Sequence, residues 1–354
     1  MTVFRYILLA LFTLSVNAAP RDPFKQLDDV WPTPDEMRRA SGAPGPGYWQ
    51  QRADYVIDVE LDEANHRIIG SEKITYHNKS KDTLDYLWMQ LDQNLFNPQM
   101  IAAQSRPSSG ISGLSFNNFE GMLRAQKFDG GYKITAVKDA SGKPLEHVVV
   151  QTMMRIIPPK PLKPGQQITF SIDWNFNIVD ATKMRARMGY EYFKEDKNHL
   201  YALAQWFPRM CAYTDVNGWQ NKQYLGTGEF ALEFGDYLVR ITAPADHIVA
   251  STGELQNPEK ILTKEQRDRL AKARNSKKPI FIVSLEEAKE NEKEKAKGRK
   301  TWVYKADNVR DFAFASSRKF LWDAMGVDLN GRNIMCMSYW PKEGEPLWSR
   351  YSTH

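Results

Sequence analysis

The stretch "QITFSIDWNFNI" places Ile168, Phe170, Ile172, Trp174, Phe176 and Ile178 at every second position, with Thr169, Ser171, Asp173, Asn175 and Asn177 between them. Successive side chains of an extended chain point to opposite faces, so this pattern puts six apolar groups on one side of a strand. A helix would scatter them around its circumference. "YVIDVEL" repeats the pattern with Tyr55, Ile57, Val59 and Leu61, and "YLWMQL", "YKITAV" and "HVVVQTMM" are further strand candidates. Turn signals such as "DASGKP" and "PLKPGQ" separate them. Many short strands joined by such turns predict a mostly β chain, a sandwich or large open antiparallel sheets, over residues 50–255. A Pro- and Gly-rich entry segment, residues 19–49, precedes it.

Residues 256–300 change character. "TKEQRDRLAKARNS" carries Thr263 with Gln266 three places on, and "SLEEAKENEKEKAKG" carries Ser284 with Glu287, two capping-box patterns on either side of the short strand "PIFIVS". The abundance of Lys and Glu reads as a solvated surface insertion. From residue 301, "TWVYKADNVRDFAFASSRKFLW" and "NIMCMSYW" restart apolar patterns, and a second domain is expected to begin there. The final run from Leu347 is helix-compatible, with Pro346 where a first turn tolerates proline.

At the other end, Arg5 precedes an apolar run, Tyr6 to Val16, and Val16-Asn17-Ala18 is a small-residue cleavage site. This predicts a secretory signal peptide, residues 1–18, cut after Ala18 because Pro20 disfavours later cleavage; an uncleaved anchor is the alternative. The mature chain is therefore expected to be exported, periplasmic or extracellular, with no integral membrane span. A formal charge of +5 without a basic block and interleaved aromatics excludes a nucleic-acid footprint. Cys211 and Cys336 sit in apolar or aromatic surroundings and in different expected domains, which predicts two buried free thiols.

Catalytic motifs are scarce. The histidines, at 66, 77, 147, 199, 247 and 354, include no pair three to five residues apart and no His-Glu-x-x-His, the economical way to converge two imidazoles on zinc. There is no Gly-x-Ser-x-Gly elbow, and Cys211 has no neighbouring base. "GTGEF" (Gly226 to Phe230) lacks the third glycine and following helix of a phosphate loop and reads as a strand-entry turn. Asn78-Lys79-Ser80 fits a glycosylation sequon. The Trp, Tyr and Phe residues read as filling for a wide sheet core, with sugar-stacking platforms as the alternative.

From Tyr201, "YALAQWFPRMCAYTDVNGWQNKQYLGTGEFALEFGDYLVRITAPADHIVASTGEL" resembles the gluzincin zinc metallopeptidases similar to aminopeptidase N and leukotriene hydrolase. "YVIDVELDEANHRIIGSEKITYHNKS" is similar to the family's first strand pair, and "DNVRDFAFASSRKF" resembles the junction at which its thermolysin-like catalytic domain starts. The likeness covers about residues 50–354 and weakens in the charged insertion.

The resemblance implies a saddle-like antiparallel β-sandwich N-terminal domain walling one side of a peptide cleft, with residues 301–354 as the start of the catalytic domain. It implies zinc only in a full-length relative, held by His-Glu-x-x-His and a later Glu; none of those motifs occurs here, so this chain is expected to stop before the zinc motif, bind no cofactor and hydrolyse no peptide alone. It assigns no catalytic and no metal residue. It offers one substrate contact, Gln205, matching a Gln that meets the substrate's free amino group, and places Phe207 where the family has an amine-binding Glu. A noncatalytic secreted β-sandwich module binding peptide or glycan is the alternative. Unpaired last strands are expected to make the chain poorly soluble, and removal of residues from about 300 onward to improve it.

Overall fold

The computed structural model describes residues 34–100, 115–184, 186, 188–226 and 231–351. The expected signal peptide, most of "GTGEF" and His354 lie outside the described residues. The chain divides into two compact units, Met1–Tyr48 and Trp49–His354. In the first, Asp35 Oδ1 accepts from the backbone N–H groups of Met37 and Arg38 at 2.7 and 2.8 Å, and the Arg38 guanidinium lies 5.4 Å from the Tyr48 ring centroid.

The second unit opens with the hairpin β1 (Arg52–Asp62) and β2 (Arg67–His77), then β3 (Leu87–Gln90), helix α1 (Phe116–Lys127), β4 (Lys133–Asp139), β5 (His147–Val150), β6 (Met153–Ile156) and β7 (Gln167–Asn177). There follow β8 (Gly189–Phe193), β9 (Asn198–Leu203), the two-residue strands β10 (Arg209–Met210), β11 (Tyr213–Thr214) and β12 (Gly218–Trp219), β13 (Gly235–Pro244), β14 (Ile248–Ser251) and β15 (Glu254–Leu255). The insertion supplies α2 (Pro258–Ile261), α3 (Lys264–Ala273), β16 (Ile280–Val283) and α4 (Leu285–Lys293). The chain then runs through β17 (Arg299–Val309), β18 (Phe314–Ser317), β19 (Phe320–Leu329), β20 (Arg332–Pro341) and the short α5 (Leu347–Tyr351).

A seven-stranded sheet, β15-β17-β13-β1-β2-β7-β4, is the backbone of this unit. All its ladders are antiparallel except β1 with β13, where Tyr55 lies opposite Tyr237. The alternation read in β7 and β1 is the alternation observed: Phe170, Ile172, Trp174 and Phe176 are buried, as are Tyr55, Ile57, Val59 and Leu61. Gly70 lies opposite Trp174, and a Cβ on it would come within 2.4 Å of the indole, so the ring covers the backbone where a side chain would stand. Two four-stranded sheets, β10-β3-β6-β5 and β14-β18-β9-β8, and a three-stranded sheet, β16-β19-β20, complete the larger layers.

The strand that crosses the boundary expected at residue 301 belongs to the first sheet. β17 lies between β13 and β15 in the seven-stranded sheet and buries Trp302 and Tyr304, so the chain leaves that sheet for the insertion and returns to it. The sheet needs a partner for the exposed edge of β13, and β17 is its ladder over nine residue pairs from Gly235–Val309 to Pro244–Arg299.

The insertion is more than a solvated appendage. Both predicted caps form: Thr263 Oγ1 accepts from Gln266 N–H at 3.2 Å and Ser284 Oγ from Glu287 N–H at 3.3 Å, each reciprocated by the Gln or Glu side chain. Such a cap contributes about 1 kcal/mol. β16 pairs with β19, Ala273 and Ala288 are fully buried, and Arg269 bridges Ile282 O and Glu287 at 3.0 and 2.6 Å.

Between β18 and β19 the chain changes sheets through the two-residue turn Arg318-Lys319, and both cations are fully buried. Arg318 meets Glu63 through two N–H groups at 2.6 and 2.7 Å, Asp246 at 2.9 and 3.3 Å, and Asn198 at 3.2 Å. Lys319 meets Asp196, Glu292 at 3.2 Å and Glu343 at 2.9 Å, and its ammonium lies 4.6 Å from the Phe193 ring centroid. Lys342 joins the same carboxylates, with Asp196 at 3.1 Å and Glu292 closer still. This turn ties together the β1–β2 and β8–β9 turns, the β13–β14 loop, α4 and the 3-10 turn Lys342–Gly344.

Two outcomes follow from this geometry. Removing residues 299–354 strips β17 from between two strands, and the remaining chain is expected to lose cooperative thermal unfolding and elute as aggregate, the reverse of the solubility gain expected from the linear sequence. Arg318→Met leaves Glu63 and Asp246 without their shared partner and is expected to cost about 3–5 kcal/mol in urea denaturation.

Candidate functional site

β9 ends at Leu203, opposite Phe314 of β18, and the chain bends sharply at Gln205, whose φ of 53° is left-handed. A non-glycine residue holds that conformation only when its surroundings enforce it. Here the Gln205 carbonyl accepts from Gln93 Nε2 at 2.8 Å and from the Tyr132 hydroxyl at 3.1 Å. Gln93 comes from the 3-10 turn Asp92–Phe96 and is itself buried; the Tyr132 ring stands edge-on to Phe176 at 5.5 Å. The Gln205 side chain is half-buried and makes no hydrogen bond among the described residues.

The residues after Gln205 turn inward. Trp206 is fully buried and donates its Nε1–H to Phe312 O at 2.8 Å. Phe207 is also fully buried, with ring centroids 5.6 Å from Tyr55 and 6.0 Å from Tyr237. Its side chain therefore packs the core at the position the sequence match aligned with an amine-binding Glu. Arg209 donates to Asp92 from Nε and Nη2 at 3.1 and 2.7 Å and to Asp311 from Nη1 at 2.6 Å. Burial opposes its charge, but the two carboxylates outweigh that and hold the guanidinium firmly protonated. This ion pair anchors the strand that follows the bend to the turn that clamps the Gln205 carbonyl.

The histidines converge in a way their spacing hides. His66 (β1–β2 turn), His199 (β9) and His247 (before β14) surround Glu63. His66 Nδ1 is 2.8 Å from the Tyr201 hydroxyl, and its ring stacks on Tyr190 at 4.1 Å. His199 Nδ1 and His247 Nε2 each lie 3.8 Å from Glu63 Oε1, and His247 Nδ1 is 2.9 Å from Ser316 Oγ. Burial pushes Glu63 up, but the paired Arg318 guanidinium, with the two imidazoles close by, holds it well below the usual carboxylate range. Burial holds His66 and His247 below the usual imidazole range. A zinc ion does not fit this donor set, because both Glu63 oxygens are taken by Arg318 and His66 Nδ1 by Tyr201. No group of three His, Cys, Asp or Glu side chains among the described residues is arranged to hold a metal.

The other sequence candidates find structural roles. Asn78 is buried: its amide donates to Asp82 O and Leu162 O at 2.7 and 2.9 Å and its Oδ1 accepts from Gln51 and Ser80, so the sequon is closed to a glycan in the folded chain. Cys211 is a buried free thiol, pushed well up by burial, whereas Cys336 is free but only half-buried, opposite Met325. Trp174, Trp206, Trp302, Trp322 and Trp340 are buried, as the core reading of the aromatics expects. The sheet also buries Glu72, whose carboxyl has no hydrogen-bond partner among the described residues and is pushed well up by burial. Among the described residues, no helix is long and apolar enough to cross a membrane.

The fold is similar to solved M1 zinc metallopeptidases. A point mutant of the enzyme from Deinococcus radiodurans matches over 85% of this chain and 50% of its own, with 10% identity and a TM-score of 0.42. Another structure of the Deinococcus radiodurans enzyme matches over 84% and 49%, with 10% identity and a TM-score of 0.42. A two-domain M1 mutant bound to L-tryptophan matches over 85% and 50%, with 10% identity and a TM-score of 0.43. This chain thus spans about half the length of the solved structures it matches. No protein-family model and no curated protein matches it.

Phe207→Glu tests the packing assignment. It is expected to cost at least about 3 kcal/mol in urea denaturation, as burial of an unpaired carboxyl beside the Tyr55 and Tyr237 rings demands, and to confer no affinity for an amine.

Proposed function

We propose that this chain is the substrate-facing β portion of a zinc metallopeptidase-type protein, with Gln205 touching the peptide. The observation that carries the reading is the Gln205 bend: a strained backbone whose carbonyl is clamped by Gln93 and Tyr132 while its half-buried amide side chain makes no hydrogen bond among the described residues. A primary amide can accept from an ammonium or a peptide N–H and donate to a peptide carbonyl, and a fixed backbone lowers the cost of holding it in place. The sequence resemblance around "QWFPR" supports the same role. Trp206 and Phe207, locked in the core, keep the bend from relaxing toward a regular strand.

The zinc, the water-activating carboxylate and the oxyanion donor belong, in this reading, to residues beyond those of this chain, and no step of hydrolysis is assigned to it. Export across a membrane by the N-terminal segment is part of the same proposal.

Gln205→Ala is expected to weaken binding of a short peptide with a free amino terminus by about tenfold, the loss of one hydrogen bond to a charged group, with the melting temperature unchanged. Chemical-shift titration with a tripeptide reads the affinity. Equal affinities for the two proteins, or aminoacyl-anilide turnover by the purified chain that a chelator abolishes, would overturn the assignment. The coding sequence past codon 354 is a further check, where a His-Glu-x-x-His motif is expected.

A further inference from the structure

We propose that the imidazole shell around Glu63 is an acid-triggered release for the lobe formed by β16, β19, β20, α3 and α4. Among the described residues the three-stranded sheet of that lobe shares no backbone ladder with the other sheets, so apart from the connecting chain it is side-chain contacts that hold it to the rest of the unit. The Arg318-Lys319 turn is where its chain enters, and Arg318 is held by Glu63 and Asp246, carboxylates of the main body.

The groups facing each imidazole decide the sign. His247 is fully buried, between Ser316 Oγ and Glu63 Oε1, with Arg318 and Asp246 nearby. Its Nε2 has no hydrogen-bond partner among the described residues. His66 faces the Tyr201 hydroxyl, the Tyr190 ring and His199, with Glu63, Asp180 and Lys295 in electrostatic range. His199 faces Glu63, Tyr192 and Tyr190. Lys295 lies 3.9 Å from Glu63 Oε1. A proton on His247 or His66 therefore adds a cation beside Arg318 or His199, and Glu63 already spends both oxygens on the guanidinium.

Opening the corner returns these imidazoles to water and their ordinary affinity. Both are held below the usual range in the closed form, so the closed form's advantage is complete above about pH 6.5 and falls as pH drops from there toward the depressed values. Each proton taken up on opening raises the open population by at most about tenfold per pH unit. Glu63, held low, keeps its charge throughout this window. Glu233, which accepts from Tyr213 N–H at 2.7 Å and is pushed up to about 7 by burial, works in the opposite sense and strengthens its own surroundings on acidification. The response is thus local to the lobe.

Hydrogen exchange of the whole chain at pH 7.5 and 5.5, corrected for intrinsic rates, tests this. Peptides within 285–293 and 318–341 are expected to lose protection at least about tenfold at pH 5.5, while β2 and β7 keep theirs. The double variant His66→Asn with His247→Asn, in which Asn suits the left-handed residue 66 and can replace Nδ1 at 247, is expected to abolish the difference. Unchanged lobe protection in the native chain, equal loss in β2 and β7, or a persisting response in the double variant would overturn the proposal. If that variant does not fold, imidazole NMR titration of the native chain decides: a midpoint for His66 or His247 that coincides with the exchange transition supports the release, and one that does not overturns it.

Discussion

Two adjacent cations with no exposure to solvent, Arg318 and Lys319, hold the parts of the second unit together. Burying a guanidinium and an ammonium is costly unless each is surrounded by acceptors, and no single strand or turn supplies enough. Glu63, Asp246 and Asn198 satisfy the first; Asp196, Glu292 and Glu343 satisfy the second. Those six residues come from five separate segments, so the turn can be neutralised only when all five are in register. Apolar packing brings the layers into contact, and the two cations select one arrangement of them.

The same constraint shapes what lies around it. Glu63 spends both oxygens on Arg318, so the three nearby imidazoles pack around Tyr190 and Tyr201 and do not share the carboxylate as metal ligands. Glu292 carries α4 to Lys319 and Lys342, so the charged insertion, which looks in one dimension like a polar appendage, becomes a structural element of the lobe. On the other side of β18, the ladder with β9 fixes where β9 must end, and the chain makes its strained bend at Gln205 immediately beyond. The Arg209 pair with Asp92 and Asp311 holds the next segment, so the bend lies between two buried ion-paired anchors.

Features governed by neighbours in sequence were legible. The alternation of β1 and β7 gave their buried faces, and Thr263–Gln266 and Ser284–Glu287 gave the helix starts, because a strand face and a cap are both settled within a few residues. Gln205 was legible as a position through resemblance, but its clamp was not, since Gln93 and Tyr132 stand 112 and 73 residues away. Phe207 shows the opposite case: a matched position in a line of text turned out to point into the core, because residue order carries no information about which way a bend rotates the next side chain. The helix "FNNFEGMLRAQK" and the buried Glu72 gave no readable sign at all.

By itself the sequence determined a mostly β chain with its turns, its inward faces and two capped helices, since these follow from side-chain periodicity and local hydrogen bonds. Tertiary structure alone decided that β17 rejoins the first sheet, that His66, His199 and His247 meet around one carboxylate, and that a two-residue turn collects its counter-charges from five segments. Those outcomes depend on which sheet edges and buried charges remain unsatisfied once the strands have formed, and only the folded chain brings their partners within reach.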